Sequence, residues 1–220
     1  SARRRRSPAD TLVDEADLFA IAVAMRLLEE EGPLREANDL VVQFLHRHEI
    51  VKTWGEGTLA SADAMSLDAS RHLWNARVDP RRRTYAMGIY AHVLDQWGII
   101  YDQPLVLHQR QVGAAIEGMV RQQAAGPVER LAVDTHGYTD FGMAISKLLG
   151  FDLCPRLSHL RDRRLHVPRE VAVPAVLHPV VDPDVSLHQG EASWDHLIRV
   201  TASIEGGWTS AVLALTRFGA

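Results

Sequence analysis

Two aspartates stand where a carboxylate needs a reason. Asp63 falls inside Ala60-Ser61-Ala62-Asp63-Ala64-Met65-Ser66-Leu67, a run read as a strand with small residues around the acid. A charged side chain in mid-strand is disfavoured unless it binds something, and the small neighbours leave space beside it. Asp134 ends the apolar run Leu131-Ala132-Val133, which follows the breaker Gly126-Pro127 and is too short for a buried helix. Beyond it come a tight turn, Thr135-His136-Gly137, and a helix expected from Tyr138 to Leu149. A carboxylate at a strand end faces the mouth of a sheet, where open α/β proteins hold ligands and metals. Asp134 and Thr135 could instead cap the following helix. The chemistry depends on whether the fold brings the two acids together.

The elements that would position them can be read in order. Residues 10 to 48 carry two helices split by Gly32-Pro33, with apolar stripes at Leu18, Ile21, Ala22, Met25 and Leu28, then Leu34, Ala37, Leu40, Val41, Phe44 and Leu45. Gly55 and Gly57 suggest a mobile lead into the strand Ala60 to Leu67. A basic stretch, Arg71 to Arg83, precedes a second strand, Thr84 to Leu94. Asp95-Gln96-Trp97-Gly98 reads as a turn, and Ile99 to Leu107 as a third strand bent at Pro104. A helix from Gln109 to Gln123 presents Val112, Ala115, Ile116 and Met119 inward. The strand ending at Asp134, the helix Tyr138 to Leu149 and a strand Phe151 to Leu157 follow, with a further short strand at Leu165-His166-Val167.

Three antiparallel strands, then helix, strand, helix, strand, is the order of an α/β ribonuclease H-like mixed sheet, in which the first and fourth strands are neighbours. Asp63 and Asp134, about 70 residues apart, would then meet. Two carboxylates at such a junction commonly hold a pair of divalent ions for phosphoryl transfer. Oxygen ligands suit Mg²⁺ or Mn²⁺, which take remaining ligands from water and substrate phosphate.

The divisions expected are a helical lead-in (1-50), the catalytic core (51-168), a Pro-rich linker (169-190) and the start of a helical region (191-220), with short helices at Trp194 to Ile204 and Trp208 to Leu215. The composition, 46% hydrophobic and 24% charged, is that of a globular chain. A net charge of −4 does not advertise a nucleic-acid binder. The positive charge is clustered, however, at Arg3 to Arg6, Arg81 to Arg83, and Arg161, Arg163 and Arg164. Local field matters more than the sum, although a solvated surface loop is the favoured reading of any one cluster taken alone. The single cysteine, Cys154, excludes an internal disulfide, fits a reducing cytoplasm and reads as a small core residue. No apolar run approaches the length of a membrane span. His159, His166, His178 and His188 lack zinc spacing.

Several of these stretches resemble transposases of the Tn-three (replicative, class II) transposon family. Trp54-Gly55-Glu56-Gly57 with Ser61-Ala62-Asp63 resembles the family's first acidic motif, and Asp134-Thr135-His136-Gly137-Tyr138-Thr139-Asp140 its second. Asp95-Gln96, Leu148-Leu149-Gly150-Phe151, Pro155-Arg156-Leu157 and Leu165-His166-Val167-Pro168 match in order and spacing. The tail from Trp194 through Ala202-Ser203-Ile204 to Leu215 is similar too.

The resemblance implies a DDE-type transposase. Two Asp and one Glu would hold metal ions, Mg²⁺ or Mn²⁺, that cut DNA at transposon ends and let the freed 3′-hydroxyl attack target DNA. Asp63 and Asp134 match the two aspartates, as catalytic residues and metal ligands. Ala64 and Val133 replace the Gly and Thr common beside them. The family's Glu lies on a helix beyond the two short helices at the end of this chain, and Glu170, Glu191 and Glu205 do not match it. The expectation is an incomplete two-ion site and a catalytically inactive chain, truncated or excised from a longer one.

His136 could contact DNA or a metal-bound water, or serve only its own turn. Asp140 reads as a helix-start residue. Arg156, Arg161, Arg163 and Arg164 are the best phosphate contacts, unless they pair with Asp152 or Asp162. The implied partners are transposon-end and target DNA, with a homo-oligomer at full length and no membrane, in the cytoplasm at the bacterial nucleoid. Two other readings remain: a self-contained ribonuclease H-like nuclease using Glu191 or Glu205, and a non-catalytic DNA-binding or multimerisation module.

Overall fold

The computed structural model describes residues 33–168, 171–185 and 187–218. The first expected helix, Arg3 to Arg6 and Glu170 lie outside these residues. The described chain opens with α1 (Pro33–Leu45) and a single turn, α2 (Glu49–Lys52). Then come β1 (Leu59–Asp68), β2 (Arg77–Val78), β3 (Tyr85–Leu94) and β4 (Ile99–Leu105). They are followed by α3 (Val112–Arg121), β5 (Arg130–Val133), α4 (Asp140–Leu148) and β6 (Asp152–Pro155). A separate parallel pair, β7 (Leu165–Pro168) and β8 (Val181–Val185), precedes α5 (Leu187–Glu205) and α6 (Ala211–Phe218).

Six strands form one mixed sheet in the order β2-β3-β1-β5-β6, with β4 also on β3. β1, β3 and β4 are an antiparallel meander. β1 pairs with β5 in parallel, from Leu59↔Arg130 to Ala62↔Val133, and β5 pairs with β6 likewise. Alternation along each strand sends Ala60, Ala62, Tyr90, Leu131, Val133 and Leu153 to one face. There they form the core with Val112, Ala115 and Ile116 of α3, Ile145 of α4, Ile204 of α5 and Leu215 of α6. The four residues expected on the inner face of α3 are all buried.

Several expectations change. The stripe on α1 is not the packed face, since Ala37, Leu40, Val41 and Phe44 are exposed or only half-buried and the neighbouring Val42 is buried against Gly98. Cys154 is exposed, because alternation in β6 gives the core to Phe151 and Leu153 and turns Cys154 to the opposite face. The helix expected from Trp194 begins seven residues earlier, at Leu187, and is 19 residues long. Residues 175–185, expected as an extended linker, form a 3₁₀ turn and the strand β8.

The glycine lead into β1 is held, not loose. The Asp95 carboxylate accepts the Gly57 amide at 3.0 Å, and the Gln96 side chain donates to the Gly55 carbonyl at 2.8 Å. Asp95 N–H also donates to Leu59 O, and Trp54 meets Trp97 edge to face. The first motif and Asp95-Gln96 are therefore two halves of one clamp, which fixes where β1 begins.

Candidate active site

The register places the two acids. Ala62 and Val133 are partners in the parallel β1–β5 pair, so Asp63 and Asp134 are the next residues along adjacent strands. Neighbouring strands run about 4.8 Å apart. β5 ends at Val133, whereas β1 continues through Asp68, paired there with β3 alone. Asp63 thus sits at the inner corner of a step, with Asp134 on its floor.

Each carboxylate has one oxygen tied down. Asp63 Oδ1 accepts the Ala64 amide at 2.7 Å, and Asp134 Oδ1 accepts the His136 amide at 2.9 Å. The second oxygen of each has no hydrogen bond to the described residues. Asp63 is exposed and Asp134 half-buried, so both can meet an incoming ligand. Asp134 does not cap α4. Thr139 does, accepting the Gly142 amide at 3.0 Å, and Asp140 is the first helical residue.

Tyr90, which sequence reasoning passed over as a strand residue, belongs to this neighbourhood. It lies opposite Ala64 on β1, is fully buried, and its hydroxyl has no hydrogen-bond partner among the described residues. Burial pushes the phenol above its usual range, and the charges of Asp134 and Asp63 push it further. One hydroxyl therefore feels both carboxylates. No signal in the sequence marks it, because an aromatic residue in a strand reads as ordinary packing.

The expected basic residues are placed unevenly. Arg156 N–H donates to Val133 O at 2.9 Å, which brings Arg156 directly beside Asp134. Arg163 carries its guanidinium over the Tyr138 ring, 5.7 Å from the centroid, just beyond the acidic turn. Arg161 and Arg164 lie on the same exposed segment, and Arg164 donates to the carbonyls of Arg161 and Arg163. None of the four forms an ion pair among the described residues, and Asp152 pairs with Lys147 instead. His136 is exposed, with its backbone amide on Asp134.

The donor set suits a hard divalent cation in kind, since it offers carboxylate oxygens rather than nitrogen or sulfur. In number it is short. Among the described residues no three His, Cys, Asp or Glu side chains converge. Glu205 ends α5 against Arg121, the last residue of α3, which runs back toward the start of β5 and away from the acids. Glu191 is exposed on the first turn and a half of α5.

Two neighbouring carboxylates at the parallel junction of a mixed sheet, with arginines beside them that form no ion pair among the described residues, are the candidate site of an α/β protein. The chain belongs to a particular family, described as the Tn3 transposase DDE domain, whose model matches residues 8–220. The transposase of insertion sequence IS1071 in transposon Tn5271 of Comamonas testosteroni is 48% identical over 208 residues, 94% of this chain and 21% of that protein. The transposase of transposon Tn21 from Escherichia coli is 27% identical over 179 residues, 79% of this chain and 18% of that protein. The chain thus spans about a fifth of the length of these relatives. A piggyBac transposase synaptic complex with hairpin DNA covers 61% of this chain and 29% of its own at 14% identity and a TM-score of 0.37, a likeness that carries no argument. No described helix is long and apolar enough to cross a membrane.

Proposed function

We propose that this chain is the ribonuclease H-like part of a DNA transposase catalytic centre and supplies two of its three metal-binding acids, Asp63 and Asp134. The observation that carries the reading is the parallel register Ala62↔Val133, which sets the two aspartates side by side. Divalent ions held there would neutralise charge on the attacking and leaving oxygens of an in-line phosphoryl transfer. Asp63 and Asp134 bind and orient, each with one oxygen fixed by a backbone amide and one facing outward. Arg156, beside Asp134, draws the scissile strand's phosphates toward the acids, with Arg163 and its neighbours extending the contact. His136 lies close enough to the turn to meet the same strand.

Among the described residues no glutamate joins the pair, and we assign the third acid, as the resemblance implies, to a helix that follows α6 in the longer protein. Alone, the chain binds DNA and divalent metal weakly and does not cut. In the complete protein the products are strand cleavage and 3′-hydroxyl transfer between transposon ends and target, carried out by an oligomer in the bacterial cytoplasm. Mn²⁺-dependent strand transfer by the full-length protein, comparing wild type with Asp63→Asn and Asp134→Asn, tests the assignment. Loss in both variants is expected, and retention in either removes that residue from the site. Metal-dependent nicking by the isolated chain would instead favour a self-contained nuclease.

A further inference from the structure

The basic run Arg81 to Arg83 looks in the sequence like a solvated loop, yet it belongs to a turn closed by side-chain and backbone hydrogen bonds of Asp79. Asp79 stands at its start and is buried, 6% exposed. Its carboxylate accepts the Ser66 hydroxyl at 2.6 Å, the Arg81 amide at 2.8 Å, the Arg82 amide at 3.3 Å and the Arg82 Nε at 3.2 Å. Its backbone closes the loop at both sides: Asp79 N–H donates to Thr84 O at 2.8 Å, and Asp79 O accepts Arg83 N–H at 2.7 Å. These bonds, the Ser66 hydroxyl first, hold the Asp79 carboxyl far below the usual carboxylate range.

The arginines divide the work. Arg82 is turned inward, paired with Asp79 and with Asp68 at 3.1 Å, and donates to the Ser66 carbonyl at 2.8 Å. Thr84 satisfies Asp68 as well. The two acids of the turn are therefore already answered. Arg81 and Arg83 are exposed, and neither side chain has a hydrogen bond or ion pair among the described residues. Arg83 is held in the left-handed region, φ 57°, which is uncommon for a side chain of this kind and persists only where the surroundings impose it. A closed turn that spends one arginine on its own structure and holds two outward is built for presentation.

Its place in the sheet gives the turn a use. β3 is antiparallel to β1, and Asp68 pairs with Ala86, so the turn before β3 lies at the far tip of the β1–β3 arm, which extends along the strands beyond Asp63. Asp68 is five residues beyond Asp63, about 17 Å at 3.3 Å per residue. The β5 and β6 ends, with Asp134 and Arg156, form the other side of the step. The acid pair thus has arginines on both sides, at one end of one sheet. A strand of nucleic acid carries a charge about every 3.4 Å of axis, so a span of ~17 Å from acid to tip matches about five phosphates.

We infer that the Asp79–Thr84 turn is a second nucleic-acid binding surface, contacting backbone phosphates through Arg81 and Arg83 across the acid pair from Arg156 and Arg163. This inference rests on the proposed DNA-processing role and adds the path of the strand. Nucleic acid lies across the step, from the arm tip over Asp63 to the loop after β6. The contacts are to phosphate alone, so they fix position without reading sequence.

The test is fluorescence anisotropy of this chain with a labelled duplex of arbitrary sequence over a series of salt concentrations. Each phosphate contact contributes about 0.9 to the slope of log affinity on log salt. Arg81→Ala with Arg83→Asn, the latter chosen because Asn tolerates the left-handed region, should reduce the slope by about 1.8. Lysine at both positions should restore it, and Arg47→Ala with Lys52→Ala, which precede β1, should leave it unchanged. Thermal unfolding of the Arg81/Arg83 variant should match wild type, since those side chains hold nothing. An unchanged slope in that variant, together with a lowered one in Arg156→Ala with Arg163→Ala, overturns the turn and leaves the DNA reading standing. Equal losses in the Arg47/Lys52 pair also overturn it, as a general charge effect. Absence of salt-dependent binding in the wild-type chain overturns both.

Discussion

The carboxylate of Asp95 accepts the amide of Gly57 across 38 residues of chain, at 3.0 Å. That bond lies outside the acidic site yet helps to decide it. In a parallel pair a slip of one residue turns every side chain to the other face. With β1 started at Leu59 by the clamp, Ala62 meets Val133 and Asp63 falls beside Asp134. A start one residue off would turn Asp63 toward the core.

The clamp has no room for change at Gly55. A Cβ there would collide with the Asp95 carboxylate, so Gly55→Ala should cost about 1–3 kcal/mol by overpacking. Asp95→Ala should cost a similar amount, about 1–3 kcal/mol, by leaving the half-buried Gly57 N–H unsatisfied. Urea denaturation measures both. The double variant should lose less than the sum, because removing the Asp95 carboxylate makes the space that the methyl of Gly55→Ala needs. Strict additivity would show that the two positions do not share the clamp.

How much of this was readable beforehand follows from particular residues. The pairing of Asp63 with Asp134 was legible because strand order and motif spacing are local signals that point to one topology. β1, β3, β4, β6, β7, α3 and α4 lie within a few residues of their expected limits, whereas β2 and β8 fall in stretches expected to hold no strand. The function of Asp95-Gln96 was not legible, since a turn sequence shows its own bend and not the glycines it will hold. Cys154 was misplaced because a run of four residues does not reveal which alternate face becomes the core. The stripe on α1 misled in the same way, with Val42 one position from the expected line. The Asp79 turn was hidden by its composition, as a run of three arginines reads as solvent-facing whichever way each one points.

His92 predicts an acid limit on stability. It is fully buried on β3 between Tyr90 and Tyr101, with Nε2 bonded to Ala115 O at 2.8 Å, and Gly118 of α3 packs directly on its ring. Burial holds the imidazole below its usual range, partly offset by its backbone hydrogen bonds. In the unfolded chain it titrates near pH 6.5. Below that pH the unfolded state takes up a proton and the folded state does not. Its contribution is therefore complete above about pH 6.5 and falls as the pH drops, by at most about 1.4 kcal/mol per pH unit. Comparing urea midpoints at about pH 7.5 and 5.5 in wild type and His92→Gln should show a steeper acid loss in wild type. Equal pH dependence would mean that other groups carry it.

A largely buried ion pair ties two helix ends together. Glu117 on α3 pairs with Arg121 at 3.1 Å and accepts the amide of Ala211, the first residue of α6. Arg121 donates to Ile204 O at 2.7 Å, near the end of α5. One ion pair therefore satisfies a helix start, where an anion is favoured, and a helix end, where a cation is. Glu117→Ala should cost about 1–3 kcal/mol, since it leaves the buried Ala211 N–H unsatisfied and takes the ion-pair partner from the half-buried Arg121. Glu117→Gln should cost less, because the amide oxygen can still accept. A loss under about 1 kcal/mol for the alanine variant, by urea denaturation, would show that the helices dock without it.

The acid pair makes a prediction that needs no catalysis. Without metal, neighbouring carboxylates repel one another, so Asp63→Asn and Asp134→Asn should each leave the melting temperature unchanged or slightly raised. In Asp134→Asn the side-chain amide oxygen can still accept the His136 amide, which protects the turn. A ligand bound only to the folded state stabilises it by about 2.7 kcal/mol at 100 times its dissociation constant. For a chain of this size that is roughly 5–10 °C. Mn²⁺ should therefore raise the melting temperature of the wild-type chain, with little effect on either variant. If Asp63 and Asp134 served only the fold, the signs would reverse: the asparagine substitutions would cost stability in buffer, and Mn²⁺ would act alike on all three proteins.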